Sequence, residues 1–332
     1  MNANDCQTST FDDLRLAVRN EYIDRTLDRA LRSELQELVV NAKDCLRGGG
    51  SRRRALFLVG ESGSGKSFAL RKHLAELVAS ASIVDHDGRH LSRVMSFEAP
   101  KPCTPKDMAV ELLRQLGIPS RMTQTEGQLY STVKTQLREN GILFIHVDEA
   151  QHLLNHRRPD VIVDVQDRVK SLMQIVDWPV HLILSGVNRL AQLRDTEEEL
   201  KNRSRLLRVV PLVFETEMDT VAKIVRQVAG RCGLGVDAKV LTDDFLGRLH
   251  HAKGGLFGSI VEVVQDACFG VLRRGEHTLT KDVFAHNYQR DSGCMPNDNV
   301  FRAPRWSEID PVYATADLAR EPKAGSRTGV PK

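Results

Sequence analysis

The sequence has no C-x-x-C pair. Its six cysteines, Cys6, Cys45, Cys103, Cys232, Cys268 and Cys294, are widely scattered. This spacing argues against a zinc ribbon or a dithiol redox centre and fits reduced thiols in a cytoplasm. No apolar run is long enough to cross a bilayer. The first residues, Met1-Asn2-Ala3-Asn4-Asp5, lack the basic-then-apolar pattern of a secretion signal, so a cytoplasmic location is expected. There is no large excess of either charge: 47 Lys and Arg against 44 Asp and Glu leave +3. That balance is too small to indicate nucleic-acid binding, although it leaves room for a local basic face. The rest of the composition is ordinary for a globular protein, with 41% hydrophobic and 27% charged residues. A chain of 332 residues can hold one large domain and a smaller one.

Two short motifs carry the chemistry. Gly60-Glu61-Ser62-Gly63-Ser64-Gly65-Lys66-Ser67 fits G-x-x-x-x-G-K-[ST] at every position. The continuous apolar run Ala55-Leu56-Phe57-Leu58-Val59 precedes it, as expected of a strand buried on both faces of a parallel sheet. A breaker-free segment from Phe68 to Leu74 follows and reads as helix. Glycines there let the backbone approach phosphate closely, and successive amides plus the helix start form an anion nest. The motif predicts that residues 60–68 cradle a nucleotide. Lys66 is expected to reach the β- and γ-phosphates, and Ser67 to ligate Mg²⁺.

The second motif is the apolar strand Ile142–Val147, interrupted only by His146 and ending in Asp148-Glu149. An aspartate at a strand tip beside such a loop can hold Mg²⁺ through water, and the next glutamate can polarise attacking water as general base. His146 reads as a partly buried strand residue, and Gln151-His152 as a continuation of the turn with no catalytic role.

Around these motifs the chain divides into four stretches. Residues 1–50 are expected to form a helical extension, with apolar positions at helical spacing over 11–47 and a break at Gly48-Gly49-Gly50-Ser51. Residues 51–214 alternate strand and helix, with strands at 55–59, 93–98, 142–147, 180–185 and 206–212, which implies an α/β parallel sheet with helices on both faces. Thr104-Pro105-Lys106-Asp107 is a helix start, with Thr104 as N-cap and Pro105 in the first turn. After Glu215 the strand signal stops, and residues 215–289 read as a helical lid. Residues 290–332 carry five prolines and few apolar residues, which is the composition of a largely disordered tail. Within that tail, Phe301 to Ile309 either docks on a partner or packs back on the lid through Trp306.

A phosphate-loop sheet followed by a helical lid resembles the AAA+/ASCE ATPases. That resemblance implies ATP and Mg²⁺ as cofactors and ATP hydrolysis as the activity. It also implies a polar residue at the tip of the strand ending Ser185-Gly186-Val187-Asn188, where Asn188 is the stronger hydrogen-bonding candidate and Ser185 the other. Asn202-Arg203-Ser204-Arg205 stands where the family carries an arginine finger that acts in the neighbouring subunit, so Arg203 and Arg205 are its candidates. The stretch Lys253–Ser259, where many members place a second sensor arginine, has none. Within AAA+, the chain is most similar to the TniB/TnsC transposition regulators, relatives of phage Mu B. The similarity runs over about residues 15–290 through Gly-Glu-Ser-Gly-Ser-Gly-Lys-Ser, Val-Asp-Glu-Ala-Gln-His-Leu-Leu, Leu-Ser-Gly-Val-Asn-Arg-Leu and Asn-Arg-Ser-Arg. The tail element Arg305–Asp310 also resembles a stretch of that group.

This resemblance implies a homo-oligomer, ring or filament, that coats double-stranded DNA without sequence preference. It further implies recruitment of a DDE transposase, with a TniQ-type adaptor, and ATP turnover that dismantles the coat. The candidate phosphate-backbone contacts are Lys101, Lys106, Arg121, Thr123 and Lys134. No acidic triad for strand cutting is evident, so the chain reads as a regulator rather than a recombinase. The alternatives are an AAA+ ATPase of the secretion or assembly type acting on protein, a replication-initiator ATPase, and a monomeric small-molecule kinase. The kinase reading is weakened by the Asp148-Glu149 pair and the helical C-terminal region.

Overall fold

The structure is a computed structural model that describes residues 3–80, 83, 88, 91, 93–121, 123–155 and 159–311. In chain order these form α1 (Ala3–Asn20), α2 (Leu27–Leu46), β1 (Ala55–Gly60), α3 (Lys66–Ser80), β2 (Arg93–Glu98), α4 (Pro105–Gln115), α5 (Glu126–Glu139) and β3 (Ile142–Asp148). Next come α6 (Pro159–Met173), β4 (His181–Gly186), α7 (Ala191–Asp195), α8 (Glu198–Asn202) and β5 (Ser204–Val209). The remainder is α9 (Phe214–Arg231), β6 (Gly235–Val236), α10 (Asp243–Ala252), α11 (Phe257–Arg273), β7 (Thr278–Leu279) and α12 (Lys281–Ser292). The chain separates into two compact units, 24–210 and 1–23 with 211–332.

The first unit is built on a five-stranded sheet ordered β2-β3-β4-β1-β5, with all neighbours parallel. Every residue of β1 and β4 is buried, which accounts for their unbroken apolar runs. Each large aliphatic side chain buried there contributes about 2 kcal/mol by area removed from water. The central strands β1, β3 and β4 end at the same edge, which brings Gly60, Asp148 and Gly186 together. α4 starts as its sequence indicates: Thr104 caps it, Asp107 N–H donates to Thr104 Oγ1 at 3.1 Å, and Thr104 N–H donates to Asp107 Oδ2 at 2.9 Å. Thr125 and Gln128 cap α5 by the same reciprocal arrangement.

The second unit is helical, with a core of Val225, Phe245, Leu249, Ile260, Val264, Phe269 and Phe284. It differs from its sequence reading in three ways. First, it contains a two-residue parallel pair, β6 with β7, too short to leave an alternating pattern in the sequence. Second, α1 belongs to it: Val18 and Ile23 lie in its core, Gln265 Nε2 donates to Val18 O at 3.1 Å, and Phe11 meets Phe269 edge-on. The expected extension 1–50 is therefore divided, with α2 packing on α3 and β1 in the sheet unit. Third, residues 293–311 are packed rather than disordered. Val300, Phe301 and Ala303 are buried, and Arg248 Nη1 donates to the carbonyls of Val300 and Ala303 at 2.8 Å each. Trp306 Nε1 donates to Asp244 Oδ1 at 3.1 Å, so the Phe301–Ile309 element packs back on its own unit. Residues 312–332 of the expected tail lie outside the described residues.

Candidate functional site

β1 delivers the chain into the loop 60–65, and α3 starts at Lys66. Gly63 (φ 79°) and Gly65 (φ 80°) take left-handed backbone angles that a side chain would strain. Lys66 is buried in the throat of the loop, and its ammonium donates to Gly60 O (2.9 Å), Glu61 O (2.8 Å) and Ser64 Oγ (3.2 Å). Burial draws its pKa below that of an ordinary lysine, while the carboxylates of Glu149 and Asp148 oppose the shift. Phe68 lies one residue into α3 beyond Ser67.

Asp148 ends β3 and gathers the loop to the neighbouring strand. Ser185 Oγ donates to Asp148 Oδ1 at 2.6 Å, and Ser67 is also hydrogen-bonded to it. Burial alone would raise the Asp148 pKa, but the Ser185 and Ser67 hydroxyls, the nearby His146 and the Glu149 backbone N–H together outweigh it and hold the group below the usual carboxylate range. The pair Ser67 and Asp148 fits Mg²⁺, which takes oxygen ligands, keeps several waters, and is held by one or two protein groups beside nucleotide phosphates. Such an ion would neutralise charge on the phosphates.

Glu149 follows at φ 50° and ψ 32°, a left-handed conformation unusual for a residue with a side chain. Its carboxylate accepts a hydrogen bond of 2.5 Å from Gln151 Nε2, and Gln151 Oε1 accepts from Val187 N–H at 3.2 Å. Gln151 is therefore a strap between the glutamate and the tip of β4. Gly186 makes room for it, since a Cβ at that position would stand 2.2 Å from Gln151 Oε1. Sequence reading gave Gln151 no part in the site. The signal was present in its place two residues after the glutamate and in the glycine across from it.

Arg25 was also missed. Its buried guanidinium donates through Nη1 to Ser64 O at 2.5 Å and through Nη2 to Gly65 O at 3.3 Å. Asp28 holds it in place, accepting from Arg25 N–H at 2.8 Å and lying 3.8 Å from Arg25 Nε, and His73 Nε2 lies 3.3 Å from the same carboxylate. Arg25 thus clamps two carbonyls of the phosphate loop.

The other candidates fall away from this cluster. Asn188 is exposed in a short 3-10 turn, and it is Ser185 that reaches Asp148. Arg203 pairs with Glu199 at 2.6 Å, and Arg205 pairs with Glu34 at 3.2 Å and Glu37 at 3.6 Å. Both arginines stand at the start of β5, where Ser204 is level with Ala55, while Gly60 at the other end of β1 is level with Val209. Five residue steps of strand, about 17 Å, separate the two ends. Lys101 and Lys106 lie between β2 and the first turn of α4, Arg121 and Thr123 lie between α4 and α5, and Lys134 lies on α5. α4 and α5 pack on one another, α5 also packs on β3, and Lys101, Arg121 and Thr123 are exposed.

The family profile described as AAA domain matches residues 47–194, the span from the end of α2 to α7 that holds both motifs. Residues 47–194 are an AAA domain. The chain is an ATP hydrolase with the P-loop AAA+ fold. Among solved structures this ATPase is similar to Cdc6p from Pyrobaculum aerophilum (14% identity, TM-score 0.58), covering 92% of this chain and 85% of that one. It is also similar to ORC1 from Aeropyrum pernix in complex with DNA (19% identity, TM-score 0.56), covering 78% and 65% respectively. A third is ORC2 from Aeropyrum pernix, in ADPNP and ADP complexes, at 14% identity, TM-score 0.55, and 81% and 70% coverage. At these identities the likeness establishes the fold. No curated protein matches the sequence.

Proposed function

We propose that this ATPase is an ATP-dependent regulator of transposition. It oligomerises on double-stranded DNA, recruits or activates a DDE transposase with a TniQ-type adaptor, and leaves the DNA when ATP is hydrolysed. The carrying observation is the separation of Arg203 and Arg205 from the phosphate loop of their own chain. Their place at the opposite end of the sheet supports a role in the site of a neighbouring copy rather than in their own. The reading assigns Glu149 as general base, Lys66 to the β- and γ-phosphates, and Ser67 and Asp148 to Mg²⁺. Ser185 acts beside Asp148, and Asn188 remains an alternative polar contact on the turn that follows β4. Lys101, Lys106, Arg121, Thr123 and Lys134 are proposed to follow the DNA backbone. The sequence resemblance supports the transposition branch through the Val147–Leu154 and Leu184–Leu190 segments.

A second reading, a replication-initiator ATPase acting on DNA, is favoured by the likeness to ORC1 and its DNA complex. A gel-shift with random-sequence duplex, with and without ATP, separates the readings. The transposition reading expects large, ATP-dependent complexes that weaken steeply with salt and show no preference among sequences. Binding confined to particular sequences would favour the initiator. No binding would remove both readings and leave an ATPase acting on protein.

A further inference from the structure

His146 interrupts an otherwise apolar strand, and the sheet register shows what it does there. Side chains alternate faces along a strand, so His146 and Asp148 point to one face of β3. Ser96 of β2 is paired with His146, and Ile183 of β4 is its partner on the other side. Ser96 and Ser185, which lies two residues beyond Ile183, therefore share that face. His146 Nδ1 is 2.8 Å from Ser96 Oγ, His146 Nε2 is 2.9 Å from Ser185 Oγ, and Ser185 Oγ is 2.6 Å from Asp148 Oδ1.

The direction of this chain is fixed by counting protons. A carboxylate only accepts, so the single hydroxyl proton of Ser185 goes to Asp148. Ser185 must then accept from His146, which places the imidazole proton on Nε2. Nδ1 is left as an acceptor for the Ser96 hydroxyl. All three hydrogen bonds point toward Asp148. His146 and Ser185 are both buried, and serine hydroxyls occupy both ring nitrogens.

We propose that His146 is a positioning residue for Mg²⁺-nucleotide binding: it pins the Ser185 hydroxyl on Asp148 Oδ1 and so fixes the carboxylate that faces Ser67. The proposal rests on the Mg²⁺-ATP reading of the site. Without the Nε2 donor, the Ser185 hydroxyl is free to rotate away from the carboxylate. Groups that orient a metal-binding carboxylate change metal affinity by about 10- to 100-fold when removed.

Two measurements test it. In ¹⁵N-histidine-labelled protein, long-range ¹H–¹⁵N spectra should show His146 as the neutral Nε2–H tautomer at pH 7 without nucleotide. An Nδ1–H tautomer or an imidazolium overturns the proposal, whatever the nucleotide site does. In the Glu149→Gln background, calorimetric titration of ATP should show that His146→Phe leaves Mg²⁺-free affinity within about twofold. The same variant should raise the Mg²⁺ concentration needed for half of the affinity gain by about tenfold. His146→Gln, which keeps an N–H donor near the Nε2 position, should recover most of that loss. A folded His146→Phe protein with unchanged Mg²⁺ dependence, or no recovery by glutamine, also overturns it. If Mg²⁺ has no effect on the parent protein, the Mg²⁺-ATP reading fails and the role proposed for His146 fails with it, while the tautomer still reports whether the relay exists.

Discussion

Arg25 is 39 residues away from Ser64 in sequence yet bonds its carbonyl, so no local motif could have placed it at the phosphate loop. Arg25→Ala is expected to weaken ATP binding about tenfold, the scale of losing a charge-assisted hydrogen-bond pair, with Arg25→Lys intermediate. Equilibrium titration with a fluorescent ATP analogue reads this directly, and unchanged affinity would show the clamp to be dispensable. At Glu149, replacement by glutamine should leave ATP binding intact and reduce hydrolysis by about 100-fold or more, measured by phosphate release. Normal turnover would take the general-base role away from it. The place of the loop between β1 and α3 and of Asp148-Glu149 at the tip of β3 was legible because each motif occupies consecutive positions. The contacts of Arg25, of Gln151 and of Ser185 with Asp148 were not, because each depends on which strand tips or turns meet across the sheet.

Elements were easier to read than their packing. The five sheet strands fall within a few residues of their expected spans, since buried parallel strands leave continuous apolar runs. The fifth is displaced, at 204–209 rather than 206–212, because Pro211 cannot continue the ladder and the polar residues Ser204 and Arg205 pair ahead of the apolar stretch. The segment 293–311 misled through composition: its prolines and charges resemble a solvated tail, but a few anchors decide its fate. Arg248 is the chief of these, bonding two carbonyls and lying 5.6 Å from the Trp306 ring. Arg248→Ala should cost about 2 kcal/mol. Limited proteolysis should then cut within 295–311 under conditions that leave the parent chain intact there.

At the scale of the whole molecule, the proposed action of Arg203 or Arg205 in a neighbouring copy would link activity to assembly. Arg203→Ala is expected to lower turnover per subunit at concentrations where the parent protein is oligomeric and to change nothing where it is monomeric. ATPase assays across a dilution series, with sedimentation, check this. Unchanged turnover in the oligomer moves the role to Arg205. Stability should also depend on pH. His181 is fully buried between Pro179 O, which accepts from Nδ1–H, and Asn41 Nδ2, and its pKa is lowered to about 4 by burial. Unfolded histidine titrates near 6.5, so between those values the unfolded chain binds a proton that the folded chain refuses. The contribution is complete above pH 6.5 and is lost as pH falls toward 4, about 3 kcal/mol over that window. Melting temperatures of the parent and His181→Gln should converge as pH falls through this range.

The helical unit is closed by a strand of chain from each side of the AAA domain. Val18 and Ile23 fill a core otherwise made from residues beyond 211. Residues 211–311 expressed alone would therefore present a raw apolar trough and aggregate, and a peptide of residues 3–23 added in trans should restore solubility. Cloning that trims the first twenty residues as dispensable would damage the end of the protein farthest from the cut.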